Sequence, residues 1–149
     1  MIHTRILMVC LGNICRSPLA EGILKAKVNS DFTYIDSAGT SAFHKGELPD
    51  SRSIEIGQKH NIDITDQRSR QFIAADFEIF DIIYVMDNSN KNNVLSLAKN
   101  SSDRNKVKLI LNETNPNQNL DVPDPYYNNG FESVYQMLNE ACTHIANNL

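Results

Sequence analysis

The sequence predicts an α/β fold, a parallel sheet with helices on both faces. Short apolar runs rich in branched residues recur at residues 5–9 (RILMV), 81–86 (DIIYVM) and 107–111 (VKLIL). Between them lie stretches with apolar residues at helical spacing, and the chain closes on an unbroken helical stripe from Phe131 to Ile145. Strands separated in this way by helices pair in parallel, through right-handed crossovers.

Taken in order, residues 5–9 read as a buried strand that ends at Cys10. Ser17-Pro18 reads as a helix start, with Ser17 at the cap and Pro18 at the first helical position. Leu19, Ala20, Ile23, Leu24 and Val28 follow at helical spacing. Residues 32–36 (FTYID) alternate as a strand does and run into Ser37-Ala38-Gly39-Thr40, read as a turn. Residues 50–60 carry a second helix with Ile54 and Ile56 partly inward and Gly57 as its weak spot. Residues 74–80 form a short third helix before the apolar strand 81–86. Asn88-Ser89 caps a helix whose Val94, Leu95 and Ala98 face inward, and residues 107–111 make the fourth strand. Residues 112–129 are a long connection rich in Pro and Asn, a length that is usually functional or disordered. The last helix buries Phe131, Val134, Tyr135, Leu138, Ala141, Cys142 and Ile145.

A length of 149 residues fits one domain, spanning 1–149, and 41% hydrophobic residues suffice for a packed core. No apolar run approaches the ~18 residues of a membrane span, and residues 1–5 lack the build of a signal peptide. Three cysteines are too few for a disulfide scaffold, so the expectation is a cytoplasmic protein without membrane association. Lys and Arg number 14 against 18 Asp and Glu, a net charge of −4 with no basic stripe, which argues against nucleic-acid binding. Any anion site must therefore be built locally. No feature marks the oligomeric state.

In parallel sheets ligands bind beyond the carboxyl ends of the strands. The segments that follow the strands are residues 10–16, residues 37–49, Asp87 and the loop that holds Asp124, and all should converge on one edge. Cys10-Leu11-Gly12-Asn13-Ile14-Cys15-Arg16-Ser17 sets a thiol six positions before an arginine, between a strand and a helix start. A loop of this length can curl its backbone N–H groups toward one centre, where the helix adds its positive end. Such a nest binds a tetrahedral dianion, and Arg16 can clamp two of its oxygens. The same field favours a thiolate at Cys10, a nucleophile for in-line attack on phosphorus. The departing oxygen needs a proton, and Asp124, held between Pro123 and Pro125, suits that role. The same carboxylate could then accept a proton from water attacking the phosphocysteine, with Ser17 donating to the sulfur as it leaves.

Other chemistries lack their parts. Cys10 and Cys15 have no further clustered ligands for zinc. No Gly-x4-Gly-Lys-Ser/Thr nucleotide loop exists. Cys142 lies on the apolar stripe of the last helix and reads as core, and His3, His60 and His144 have no evident partners and read as surface. Phe43, Tyr126 and Tyr127 are candidates for an aromatic rim that sandwiches a flat ring above the phosphate. His44 stands beside that rim.

The stretch Val9-Cys10-Leu11-Gly12-Asn13-Ile14-Cys15-Arg16-Ser17-Pro18 resembles the signature loop of the low-molecular-weight protein tyrosine phosphatases. Asp36-Ser37-Ala38-Gly39-Thr40, Met86-Asp87 with Ser89-Asn90, and Asp124-Pro125-Tyr126-Tyr127 match that family in order and spacing. The resemblance implies a four-stranded parallel sheet in the order 2-1-3-4, a phosphocysteine intermediate, no metal and no cofactor. It makes Cys10 the nucleophile, Arg16 the phosphate clamp and Asp124 the general acid. Leu11, Gly12, Asn13, Ile14, Cys15, Ser17, Phe43 and Tyr126 then surround the substrate, a phosphotyrosine-containing protein or peptide. Asn13 would hold the loop in a strained shape with Ser37 beside it, and Cys15 would cap an oxidised Cys10 as a reversible disulfide. Relatives often carry His where this chain has Gln67, which hydrogen-bonds but does not titrate. Among related chemistries, thioredoxin-coupled arsenate reductases need mid-chain cysteines that residues 81–97 lack. Arginine phosphatases typically carry Thr where this chain has Ile14. A silent phosphotyrosine-binding module would lack the nucleophile or the acid, and both are present.

Overall fold

Burial along the first strand, β1 (Thr4–Cys10), sets the layering of the molecule, which is a computed structural model describing residues 1–149. Successive side chains point to opposite faces, so Ile6, Met8 and Cys10 enter one core while Leu7 and Val9 enter another. Strands β2 (Thr33–Gly39) and β3 (Ile82–Val85) flank β1, and β4 (Val107–Leu109) pairs with β3. All pairs are parallel and the order is β2-β1-β3-β4, as anticipated. Cys10 pairs with Gly39 and Val9 with Val85, so the carboxyl ends lie level and the segments after them gather at one edge.

Helices cover both faces. The Ile6–Met8–Cys10 face packs against α1 (Arg16–Lys25) and the C-terminal helix, Phe131–Asn147, whose buried residues are those of the predicted stripe. Between them in sequence, α2 (Ser51–Lys59) adds partly buried Ile54 and Ile56. The opposite face packs against Phe77 of the single-turn α3 (Asp76–Ile79) and Val94 of α4 (Asn88–Leu95). A polar helix, α5 (Ser101–Lys106), precedes β4, and the C-terminal helix is therefore α6. No helix is long and apolar enough to cross a membrane.

Several local expectations are corrected. Ser37–Gly39 is strand rather than turn, because the β1 ladder continues to Cys10↔Gly39. The first helix begins at Arg16 with Cys15 at its cap and no side-chain cap bond, so Ser17 is not a cap residue, and Val28 lies past its end. Pro18 still sits in the first turn, where its missing N–H costs nothing. Asp87, not Asn88, caps α4 by accepting from the amide of Asn90. β4 stops at Leu109 and tightens into a 3-10 turn, Ile110–Glu113. The amphipathic signal missed α5, which buries nothing. His60 and His144 do have partners: His60 stacks on Tyr135 at 3.8 Å and meets Glu132 at 3.1 Å, and His144 lies 3.5 Å from Glu113. Gly57 is required rather than weak, since a Cβ there would meet the carbonyl of Ile62 at 2.8 Å.

Candidate active site

Residues 10–16 leave the end of β1 and curl into the start of α1, and the surrounding chain holds their carbonyls outward. The carbonyl of Cys10 accepts from Thr40 N (2.9 Å), that of Leu11 from Ser41 N (2.9 Å) and that of Ile14 from Asp50 N (2.8 Å). Hydroxyls do the same elsewhere: Ser69 Oγ donates to the Gly12 carbonyl (2.9 Å) and Ser53 Oγ to that of Cys15 (3.3 Å). A planar peptide with its oxygen outward turns the next N–H inward. The amide of Asn13 accordingly lies 3.3 Å from Cys10 Sγ, while those of Leu11, Gly12, Ile14, Cys15 and Arg16 donate to no acceptor of the chain. That is an anion nest.

Asn13 takes the bend, with φ at +54°, a left-handed conformation Asn tolerates better than other non-glycine residues. Its side chain is locked behind the loop. Nδ2 donates to Ser17 Oγ (2.8 Å) and Ser37 Oγ (3.0 Å), and Oδ1 accepts from the amide of Arg70 (3.1 Å). The Ser17 hydroxyl, which accepts from Asn13, lies 3.0 Å from Cys10 Sγ and 3.4 Å from the Ala38 carbonyl, so it is placed to donate to a thiolate at Cys10. Gly39 backs the loop so closely that a Cβ there would stand 2.7 Å from Leu11 O and 3.0 Å from Asn13 N. Only glycine fits this close approach.

Arg16 is 2% exposed and fixed from behind. Its Nη1 donates to Asp87 Oδ2 (2.7 Å) and to the Val122 carbonyl (2.8 Å), and its Nη2 lies 3.6 Å from Asp124 Oδ2. Burial alone would lower its pKa, but Cys10, Asp87 and Asp124 more than reverse this, so it stays charged. The Asp124 carboxylate also accepts from Tyr126 N (3.0 Å), a local turn that orients it. Burial, reinforced by Asp50, Cys10 and Asp124, pushes the Cys15 thiol up to about 12, so it is neutral at pH 7.

The cleft above the nest holds about 350 Å³, within the range of small-ligand sites. Cys10, Leu11, Gly12, Ile14, Cys15, Arg16, Phe43, His44, Asp124, Tyr126 and Tyr127 line it, all of them named from the sequence, together with Ser41. Asn13 and Ser17 stand behind the loop rather than in the wall. Phe43 (84% exposed) and Tyr127 (77%) form the free rim, while Tyr126 is half-exposed. His44 packs over Gly12, with Nδ1 against Glu47 at 2.9 Å.

Besides the groups that hold the loop carbonyls, Asp87 and Glu21 support the site in ways the sequence does not signal. Asp87 was expected at this edge but not as the partner of Arg16. Glu21 is 3% exposed and accepts from Ser37 Oγ (2.6 Å) and Lys25 Nζ (2.5 Å), and burial raises its pKa despite both bonds. Its pairing with Lys25 four residues on looks like a surface pair, yet apart from Glu21 the run Pro18 to Leu24 has no polar side chain, the mark of an enclosed helix. Gln67 donates to the Pro18 carbonyl (3.0 Å), and its Oε1 lies 3.4 Å from the Ser37 hydroxyl, which donates to Glu21.

Known proteins resemble this one over almost its whole length. The family described as low molecular weight phosphotyrosine protein phosphatase matches residues 5–149. A Schizosaccharomyces pombe protein of that description is 40% identical over 143 residues, covering 91% of this chain and 90% of its own. The crystal structure of an Entamoeba histolytica protein tyrosine phosphatase with Hepes in its active site superposes with a TM-score of 0.88 at 34% identity, covering 95% of this chain and 94% of that one. A Drosophila arginine phosphatase superposes with a TM-score of 0.87 at 32% identity, covering 96% of each chain.

Proposed function

Because the chain belongs to the low molecular weight phosphotyrosine protein phosphatase family, we propose that it hydrolyses phosphotyrosine in proteins with Cys10 as nucleophile, Arg16 as phosphate clamp and Asp124 as general acid. It is a phosphoric monoester hydrolase of the protein-tyrosine-phosphatase kind, and residues 1–149 serve as one catalytic domain. The observation that carries the residue roles is the ring of inward amides around the Cys10 sulfur, with Arg16 Nη2 3.6 Å from Asp124.

The dianion seats in the amide ring and takes the free edge of the Arg16 guanidinium, which Asp87 and Val122 hold at a fixed angle. The Cys10 thiolate attacks phosphorus in line, forming the S–P bond as the bond to the tyrosine oxygen breaks. Asp124 gives its proton to that oxygen, and tyrosine leaves neutral. Water then attacks the phosphocysteine and passes its proton to the Asp124 carboxylate. The S–P bond breaks, phosphate departs, and the sulfur leaves as a thiolate that accepts the hydrogen of Ser17 Oγ, 3.0 Å away. Charge neutralisation and nucleophile both come from the chain, so the reaction needs no metal. The aromatic rim of Phe43, Tyr126 and Tyr127 suits a phenyl ring. The free thiols accord with a reducing compartment such as the cytoplasm.

Phosphoarginine is the alternative to test, given the Drosophila relative. Ile14, a branched apolar residue in the cleft wall, favours the phenyl ring. The deciding experiment is a peptide panel carrying phosphotyrosine, phosphoserine and phosphoarginine, with chelator present. The expected outcome is selective release from phosphotyrosine, complete loss in Cys10→Ser, and inhibition by vanadate. Turnover retained in Cys10→Ser would sink the mechanism.

A further inference from the structure

We propose that Arg52 is a positioning residue for the general acid, bracing the Asp124 loop against the loop that carries Cys10. The proposal rests on the reading of Asp124 as the acid.

Upstream of Asp124 the loop is well tied: Val122 N donates to the Met86 carbonyl (2.8 Å) and the Val122 carbonyl accepts from Arg16. Downstream the polar bonds of residues 125–130 are local, apart from those made by Arg52. Its guanidinium donates to Asn129 Oδ1 (2.7 Å) and shares the Tyr126 carbonyl between both terminal nitrogens at 3.4 Å. The Tyr126 ring lies 5.4 Å from the guanidinium carbon and the Phe131 ring 4.8 Å, within cation–π range.

The other edge of the same group is held by the nest. Asp50 grips Arg52 in a two-pronged pair at 3.0 Å on each prong, and the Asp50 amide donates to the Ile14 carbonyl. A continuous relay therefore runs from Ile14 through Asp50 and Arg52 to the Tyr126 carbonyl. The amide of Tyr126 in turn orients Asp124 through Oδ1. Arg52 neither touches the nucleophile nor lines the cleft itself; of the cleft wall it holds Tyr126 alone. An effect that passes through the placement of Asp124 grows with how much proton the leaving group needs, whereas one that passes through the Tyr126 ring or the nest falls on all leaving groups alike.

The test is kcat/KM for aryl phosphates spanning p-nitrophenol to phenol as leaving groups, in the wild type, Arg52→Ala, Arg52→Lys, Asn129→Ala and Asp124→Asn. Arg52→Ala is expected to lose roughly tenfold more on phenyl phosphate than on p-nitrophenyl phosphate, a fraction of what a full general acid supplies. Asn129→Ala should shift the same way by less, and Arg52→Lys should recover only part, since an ammonium cannot span both contacts. Vanadate inhibition should be unchanged. Equal loss across leaving groups, or none, while Asp124→Asn shows the dependence, would overturn the role of Arg52 alone. A flat response in Asp124→Asn would overturn the acid assignment and the brace with it.

Discussion

Replacing Gly39 by alanine adds one methyl group behind the nest and should cripple the enzyme. The new Cβ would stand 2.7 Å from the Leu11 oxygen and 3.0 Å from the Asn13 nitrogen, where ordinary contact begins at 3.4 Å. Both neighbours are backbone, and both belong to the loop that receives the phosphate, so no side chain can swing aside. The loop must move by up to about 0.7 Å, and misplacement of reacting groups by ~1 Å costs on the order of a hundredfold. We expect kcat/KM toward p-nitrophenyl phosphate to fall by roughly 10- to 50-fold on that scale. Vanadate should bind more weakly, because the amides shift with the loop. Overpacking a buried site costs about 1–3 kcal/mol, which for a chain of this length lowers Tm by roughly 3–10 °C. Steady-state kinetics and a thermal melt read both numbers. An alanine variant with the activity and Tm of the parent would refute the claim that β2 shapes the nest by contact.

Ser17→Ala removes the hydrogen bond to the departing sulfur, so the second chemical step should slow by roughly 10- to 100-fold, the worth of a bond to a charged group. Stopped-flow traces should then show a larger burst of p-nitrophenol, and an unchanged burst would count against the role of Ser17. Because the Cys15 thiol is pushed up to about 12, iodoacetamide at pH 7 should label Cys10 and spare Cys15, with vanadate protecting; peptide mass spectrometry decides. After peroxide, a thiol reductant should restore the wild type but not Cys15→Ser, and irreversible loss in both would exclude a Cys10–Cys15 disulfide. Burial holds the folded pKa of Glu21 above its ordinary 4.5, so the protein binds this proton more tightly folded than unfolded. The corresponding stability is present in acid and is lost as pH rises through that raised value. Glu21→Gln should flatten this part of the urea-denaturation profile, and an unchanged slope would show that Glu21 does not titrate there.

The layering was legible because it rests on periodicity. Strand cores at residues 6–9 and 82–85 and the α6 stripe carry their burial in the spacing of their apolar residues. That Cys10, Arg16 and Asp124 meet at one cleft was legible because the segments after parallel strands gather at one edge of the sheet. What stayed hidden was the support. The contact of Ser17 with the sulfur was expected, but its place was not: it reads as a cap residue, and in the fold it lies inside α1 with Asn13 Nδ2 donating to its hydroxyl. Ser37 and Gly39 look like a turn, and only pairing with β1 turns them into the wall behind the nest. Ser53, Ser69, Thr40 and Asp50 steer loop carbonyls from distant positions. Hydrogen bonds between residues so far apart leave no local pattern, since any polar residue in a loop reads alike. Arg52 stayed obscure for the same reason.

Fastening the carbonyls of Cys10, Leu11, Gly12, Ile14 and Cys15 from outside means that the cup has its shape before anything enters it. Orthophosphate, the product, matches that shape as well as the reacting ester does, and nothing in the cup must relax to let it linger. Orthophosphate is therefore expected to compete with the phosphorylated protein for the cup. A purely competitive pattern of orthophosphate inhibition is the signature to seek.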